Sequence, residues 1–458
     1  MIRNRAIRVA ATGARLLIGA AIAVGCVVAV VAAVALPWPG VAAEPAQVAV
    51  TPTAGDATLV CAGSFRAVGR NALDAAQQMP AGTPDLTVDS SGERTESTLE
   101  VPELSDTPGP QRFIASAEQG GAPLLAAAEA ITLASDDLTG LAGAACREAR
   151  TESWLVGGSV ETGTNDLIVL SNPGDVTATA TMTVFGLAQT STTQLVPAGT
   201  QISVPLSSIA AGTQDPVVRI TAAGAPLRAT LQSSLIRTLD PSGIDLQDSA
   251  GPPSSTVVFA GVQVLAKSAD TPLTVLRLLA TDQATQARVT VRAQGAAVQS
   301  QTVPLEAGTP TEVNLDGLEP GVYSVEIEGD APMAGAIRQA ARAGAGSDFA
   351  WMTPAPDIHG ETYVAIPGAA GSRVHLVNSG TADATVVLAP ASDTDSGEEI
   401  SIPAGGDALV EVDADSVYSL ASDETIHAAV ILAAADNALA GWPVWAGAAA
   451  QEPVTVYP

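Results

Sequence analysis

Two rhythms of apolar and polar positions divide this chain. Leu16 to Leu36, LLIGAAIAVGCVVAVVAAVAL, is a run of 21 residues without a charge. At 1.5 Å rise per residue such a helix would span roughly 30 Å, the thickness of a hydrocarbon core. Beyond it the pattern changes to short runs of Val, Ile, Leu and Thr broken by Gly, Pro, Asn and Asp, the signal of strands and turns. Segments such as VTVRA (289–293) and SVEIE (324–328) alternate apolar and polar side chains, as a strand with one buried face requires.

The strand cadence repeats. NPGDVTATATMTV from Asn172 matches TDQATQARVTV from Thr281 and NSGTADATVVL from Asn378, each with an Ala six residues on: Ala178, Ala287 and Ala384. These starts lie 109 and 97 residues apart, and so do Gly199, Gly308 and Gly405 in the next echoes, VPAGTQISVPL, LEAGTPTEVNL and IPAGGDALVEV. A tight turn there needs the positive φ that Gly adopts freely. A third echo follows: APLRATLQ at Ala225, APMAGAIRQ at Ala331 and the looser TIHAAVIL at Thr425. Ahead of Cys146, APLLAAAEAI at Ala122 and LVCAGS at Leu59 resemble parts of these copies and mark a degenerate first one, whose middle, SSGERTESTLEVPEL, lacks a clear turn. By propensity APLLAAAEAI suits a helix as well, although its β-branched counterparts favour a strand.

Repeats of about 100 residues with frequent turns predict two-sheet sandwiches of the immunoglobulin type, whereas shorter periods would predict a propeller or solenoid. The expected fold is mainly β: tandem immunoglobulin-like β-sandwich modules after one N-terminal transmembrane helix. The expected division is a cytoplasmic basic N-terminus (1–15), the helix (16–36), a Pro/Ala stem (37–55), a degenerate, disulfide-bearing module (56–149), three further modules (150–247, 256–352, 360–450) and a C-terminal tail (451–458). DSAGPPSS and TPAPDIHG are the expected linkers. Placed end to end the modules would reach on the order of 150 Å, and folded back about half that.

Composition and charge narrow the function. With 47% hydrophobic but only 3% aromatic residues, the cores must be aliphatic. Arg3, Arg5, Arg8 and Arg15 precede Glu44, the first acidic residue; the other 16 of the 20 basic residues face all 48 acidic ones, a formal charge of −32. That disfavours nucleic acid, whose binding rests on Lys and Arg neutralising phosphates, and it disfavours docking on anionic lipid. Arginines before the apolar run and none after it until Arg66 place the N-terminus in the cytoplasm and the bulk outside a cell membrane. A cleaved signal peptide is the rival reading, with small residues at Val41 and Ala43. Lipidation at Cys26 is disfavoured because AVGC lacks the usual Leu. Outside the cytoplasm Cys61 and Cys146 are read first as a disulfide, which would contribute roughly 4–5 kcal/mol at most by loop closure; two buried thiols are the alternative.

Candidate chemistry is sparse. No G-x-S-x-G accompanies His359, His375 and His427, so a Ser–His–Asp hydrolase is not expected, and three histidines without a free Cys pair give no zinc spacing. Paired carboxylates for a glycosidase are available, but aromatic platforms are few. Asp393, Asp395, Glu398 and Glu399 around Gly397 are candidate Ca²⁺ ligands, although their order departs from an EF-hand and a solvated loop explains them as well. Trp154, Trp351, Trp442 and Trp445 read as plugs of module ends, with Trp442 and Trp445 in GWPVW as a candidate partner patch.

CREARTESWLVGGS followed by LIVLSNPGDVTATATMTVFG resembles an uncharacterised family of actinobacterial single-pass envelope proteins, with a leading anchor, a Cys before W-x-x-G-G and an L-x-N-P-G element. The resemblance implies surface location and β-structure, and no activity. The modules also resemble tandem immunoglobulin-like repeats of bacterial surface proteins, an analogy of fold alone. The expected function is a non-enzymatic, membrane-anchored extracytoplasmic scaffold or binding protein of the cell envelope, without a cofactor. Its expected contacts are the membrane, through the N-terminal helix, and an envelope protein. The alternatives are an accessory subunit of an envelope-assembly enzyme or transporter, and a divergent hydrolase.

Overall fold

In a computed structural model of the chain, the N-terminal apolar run is one α-helix, Arg3–Ala35. It starts before the expected span because the preceding Ala, Ile and Arg residues are competent helix formers with no Pro among them. Its Gly13–Val34 segment, with a mean hydropathy of 2.8, is long and apolar enough to cross a membrane, a property shared by signal sequences. The structure describes residues 3–35, 48–50, 54–74, 76–104, 107–117, 121–186, 188–434, 438–447 and 454–456. Most of the expected stem lies outside them; within it Val48–Val50 pairs antiparallel with Val454–Val456, in the segment expected as a tail. The helix and this strand pair belong to one unit (Met1–Pro52 with Glu452–Pro458), and Thr53–Gln451 forms a second.

In the second unit each sheet draws its described strands from a single repeat. Residues 152–248 form two four-stranded antiparallel sheets, whose inward side chains, among them Leu155, Ile168, Leu170, Met182, Ile220 and Leu231, make one aliphatic core. The next two repeats are each organised by one long strand, Gly321–Ala340 and Ser416–Ala433. The first half of each pairs with one set of neighbours and the second half with another. The third echo of the sequence marks this crossing. In the earlier repeat the same course is split into Val217–Ala223 and Arg228–Arg237. APLLAAAEAI contributes to a strand, Leu125–Ala134, paired on both sides, so tertiary pairing overrides its helical propensity.

The repeated turns share their local geometry. Gly199, Gly308 and Gly405 have φ of 63°, 72° and 69°. At the first echo Asn172 and Asn378 are both fully buried. Each donates its amide across the turn, to Val176 and Val196 carbonyls in one copy and to Ala382 and Ile402 carbonyls in the other. Each also accepts from a glycine N–H, Gly174 or Gly380. The linkers are shorter than expected, because strands begin again at Ser254 and Ile358.

The repeats do not run end to end. Each ends in a closing strand: Thr139–Ala145, Asp240–Asp248, Phe349–Met352 and Leu439–Pro443. The first packs on the second, the second on the third, the third on the fourth and the fourth on the first, a closed ring. Cores are correspondingly shared. Ala126, Ala128, Ala130 and Leu141 join the core of the last repeat, and Ile244 and Leu246 join that of the first. At the centre lies the carboxylate of Asp348, 7% exposed. Its oxygens accept N–H groups from three other repeats: Leu141 at 3.0 Å, Leu439 at 3.1 Å and Ile244 at 3.2 Å. Gly140 and Gly243 leave room for it, since a Cβ at either would lie within 3 Å of Asp348 Oδ1. Burial pushes the Asp348 carboxyl up to about 7, against the pull of these donors.

Candidate functional site

The largest cleft described, of about 560 Å³, opens between residues 158–238 of one repeat and the sheet of the next. Its floor follows from strand register. Arg277 faces Glu312, and Arg338 faces both Val275 and Trp351 on adjacent strands. Directly opposed residues share a face, as do residues two apart, so Arg277, Glu312, Arg338, Phe349 and Trp351 all project toward the neighbouring repeat. The opposite wall is built from the 157–163 connection and Asp166 on strand Thr164–Asn172, with Arg237 and Thr238 at the far hairpin.

Charges in the cleft are of two kinds. Arg277, nearly buried, is saturated. Its Nη1 donates to the carbonyls of Gly158 and Pro216, and its Nη2 to Glu312 at 2.8 Å and Asp215 at 3.2 Å; the guanidinium also lies over Trp351 at 4.9 Å. Asp215 is pushed up by burial, with Arg277 opposing. Asp166 is pushed to about 6, again by burial, although it accepts the Ser159 N–H. Arg338 is different. It stacks over Phe349 at 5.1 Å, and burial followed by the neighbouring Arg237 charge lowers it to about 10. Among the described residues neither Arg237 nor Arg338 has a carboxylate within 4 Å. The cleft therefore has a neutralised floor and a pair of unpaired cations at one side.

The residues singled out in the sequence lie elsewhere. Cys61 and Cys146 form a disulfide and are buried, which removes the two-thiol alternative. Glu129 sits beside it, accepting the N–H groups of Ala62 and Gly63 and pushed to about 7 by burial. Cys61, Glu129 and Cys146 are close enough for a metal, but the sulfurs are spent in the disulfide. Asp393, Asp395, Glu398 and Glu399 are all exposed, and among the described residues no three of them bring their oxygens within reach of one ion. Glu398 and Glu399 are successive residues of one strand, so their side chains point to opposite faces.

Trp442 is 3% exposed and packs with Leu141 and the alanines of strand Leu125–Ala134, so it is a core side chain and not a surface patch. Trp445 is half-buried, with the guanidiniums of Arg147 and Arg150 at 3.5 and 4.2 Å from its ring. Trp351 lies at the junction of two repeats, its backbone N–H donating to Asp245, and Trp154 stacks on Phe185.

One constellation that sequence spacing hides is Ser379 with His427: Oγ lies 2.9 Å from Nε2. The Nδ1 side faces the carbonyl of Ala355 at 2.9 Å, and the nearby carboxylate, Asp357, approaches Nε2 at 3.7 Å. A triad places its carboxylate on Nδ1; here a carbonyl holds that position. His375 is fully buried between two repeats, bonded to the Gly261 N–H and to Asp407, and His359 is exposed on a strand. The cleft was missed because Arg277 and Arg338 lie in strands that otherwise read as apolar. A lone Arg on such a strand is the signal that could have found it.

Residues 101–413, more than half of the chain, match the model of a protein family described as DUF5719, a family of unknown function. No curated protein matches the chain significantly.

Proposed function

Because the chain belongs to the DUF5719 family, whose function is unknown, we propose its role from its own geometry: a membrane-anchored, extracytoplasmic, non-enzymatic binding protein of the cell envelope. Its immunoglobulin-like repeats close into one head, and its ligand site is the cleft between the second and third repeats. The observation that carries the reading is that cleft, about 560 Å³ in volume, with two guanidiniums that have no carboxylate in direct contact among the described residues, although Glu312 and Asp166 act on Arg338 at longer range. The cleft's volume falls in the range of small-ligand sites, and its lining is mainly polar, with Leu235, Ile236, Phe349 and Trp351 as the apolar part.

Anchoring is supported by the length and apolarity of Gly13–Val34. The arginines before it and the Cys61–Cys146 disulfide support an oxidising, outer compartment for the head. A binding role is favoured over catalysis because the floor carboxylates Glu312 and Asp215 are engaged by Arg277.

The test uses the full chain purified in mild detergent from its own membranes. Native mass spectrometry should find a small-molecule adduct on the wild type that is lost in Thr162→Trp, a change at the exposed rim of the cleft. No adduct on the wild type, or equal retention by the variant, would refute the cleft as the site. Recovery of the protein in the soluble fraction after carbonate washing would refute the anchor.

A further inference from the structure

We infer that the cleft between the second and third repeats takes an anionic carbohydrate, a sugar ring bearing one carboxylate or phosphate, with Arg237 and Arg338 holding its acidic group. The inference rests on the cleft being a ligand site, and it names the class of ligand.

The first argument is charge. In a chain with 48 acidic and 20 basic residues, guanidiniums should find carboxylates easily, and the other cleft arginine does: Arg277 has two. Among the described residues Arg237 and Arg338 instead have no carboxylate in direct contact and repel each other, which after burial helps to hold Arg338 low, with Glu312 and Asp166 opposing only at longer range. A like-charge pair left beside a cavity is stabilised by an incoming anion, and a guanidinium offers carboxylate and phosphate alike two parallel donors.

The second argument is the rest of the wall. Ser159, Thr162, Thr164 and Thr238 present hydroxyl-bearing side chains around the cleft, and Glu161 adds an acceptor. These suit ring hydroxyls, which both donate and accept. A small inorganic anion would leave most of the volume to water. A second acidic group on the ligand would meet Glu161 and Glu312, so a single charge fits best.

The test is calorimetric titration of the full chain in detergent at low salt with glucuronate, glucose 6-phosphate, glucose and inorganic phosphate. At least one of the first two should bind, about tenfold or more tightly than glucose. Arg237→Gln, at a partly exposed position, and Arg338→Gln should each weaken that binding about tenfold, with circular dichroism unchanged. The stronger of the two anionic sugars identifies the acidic group. Equal binding of glucose, or phosphate binding as tightly as either sugar, overturns the inference, and so does unchanged affinity in Arg237→Gln. If neither anionic sugar binds while the native adduct is still lost in Thr162→Trp, this ligand class fails and the cleft stands. If the wild type shows neither adduct nor titration, both fail.

Discussion

Replacing Asp348 by alanine removes an acceptor shared by three other repeats. The N–H groups of Leu141, Ile244 and Leu439, now 3.0–3.2 Å from its oxygens, would lose that acceptor in a buried site. Each buried unsatisfied donor costs about 1–3 kcal/mol, so three give about 3–6 kcal/mol after allowing for water entering the vacated space. Asp348→Asn keeps an amide oxygen, which can serve the two donors on Oδ2, but it turns an NH₂ toward Ile244; about 1–3 kcal/mol is expected. Hydrogen exchange by mass spectrometry distinguishes this from a local defect. In Asp348→Ala, protection should fall together in peptides covering 139–145, 240–248 and 439–443, which are far apart in the chain, with the urea midpoint lowered. Loss confined to peptides around 348–352, or a midpoint shift worth less than about 1 kcal/mol, would refute the hub.

Stability should also depend on pH in a defined direction. Burial raises Glu129 and Asp348 to about 7 and Asp166 to about 6. A folded pKa above the unfolded value near ~4 means stability is fully present below that value and lost as pH rises through 6–7, with on the order of 3–4 kcal/mol per group at stake. Urea melts should therefore strengthen from pH 8 to pH 5, and a flat or falling trend would contradict the burial of these groups. Reducing Cys61–Cys146 should expose two thiols to labelling and lower stability by up to roughly 4–5 kcal/mol; two thiols labelled without reductant would exclude the bond. Asn172→Ala and Asn378→Ala should each cost about 2–3 kcal/mol by stranding turn carbonyls; denaturation of the two variants should give similar losses, and a marked asymmetry would argue against an equivalent role.

Local structure was legible wherever one residue type is forced by backbone geometry or solvent. The helix follows from the absence of charge in Leu16–Leu36, and the turns follow from Gly199, Gly308 and Gly405 at equal spacing. The way the repeats meet was not legible. Its contacts are made by Ala126, Ala128, Ala440 and the glycines beside Asp348, which look like ordinary composition in an Ala- and Gly-rich chain. Small residues admit a neighbouring strand closely but do not say which one. GWPVW read as a plug or a partner patch at the exit of the last repeat; Trp442 is buried because the first repeat returns to cover it. The cleft was hidden for a related reason, since its walls come from segments such as 158–166 and 312–351 that only the ring brings together.

The ring carries a consequence for assembly. Synthesis proceeds from the N-terminus, so Leu141, Ile244, Asp348 and Leu439 become available in that order, and the last donor to Asp348 arrives well after Asp348 itself. A nascent chain can fold and pair its earlier repeats, but the faces of the first and third that meet the fourth stay uncovered until it is delivered. A premature stop near the C-terminus would thus leave sticky aliphatic edges on the first and third repeats, and harm the product more than the loss of a peripheral tail would.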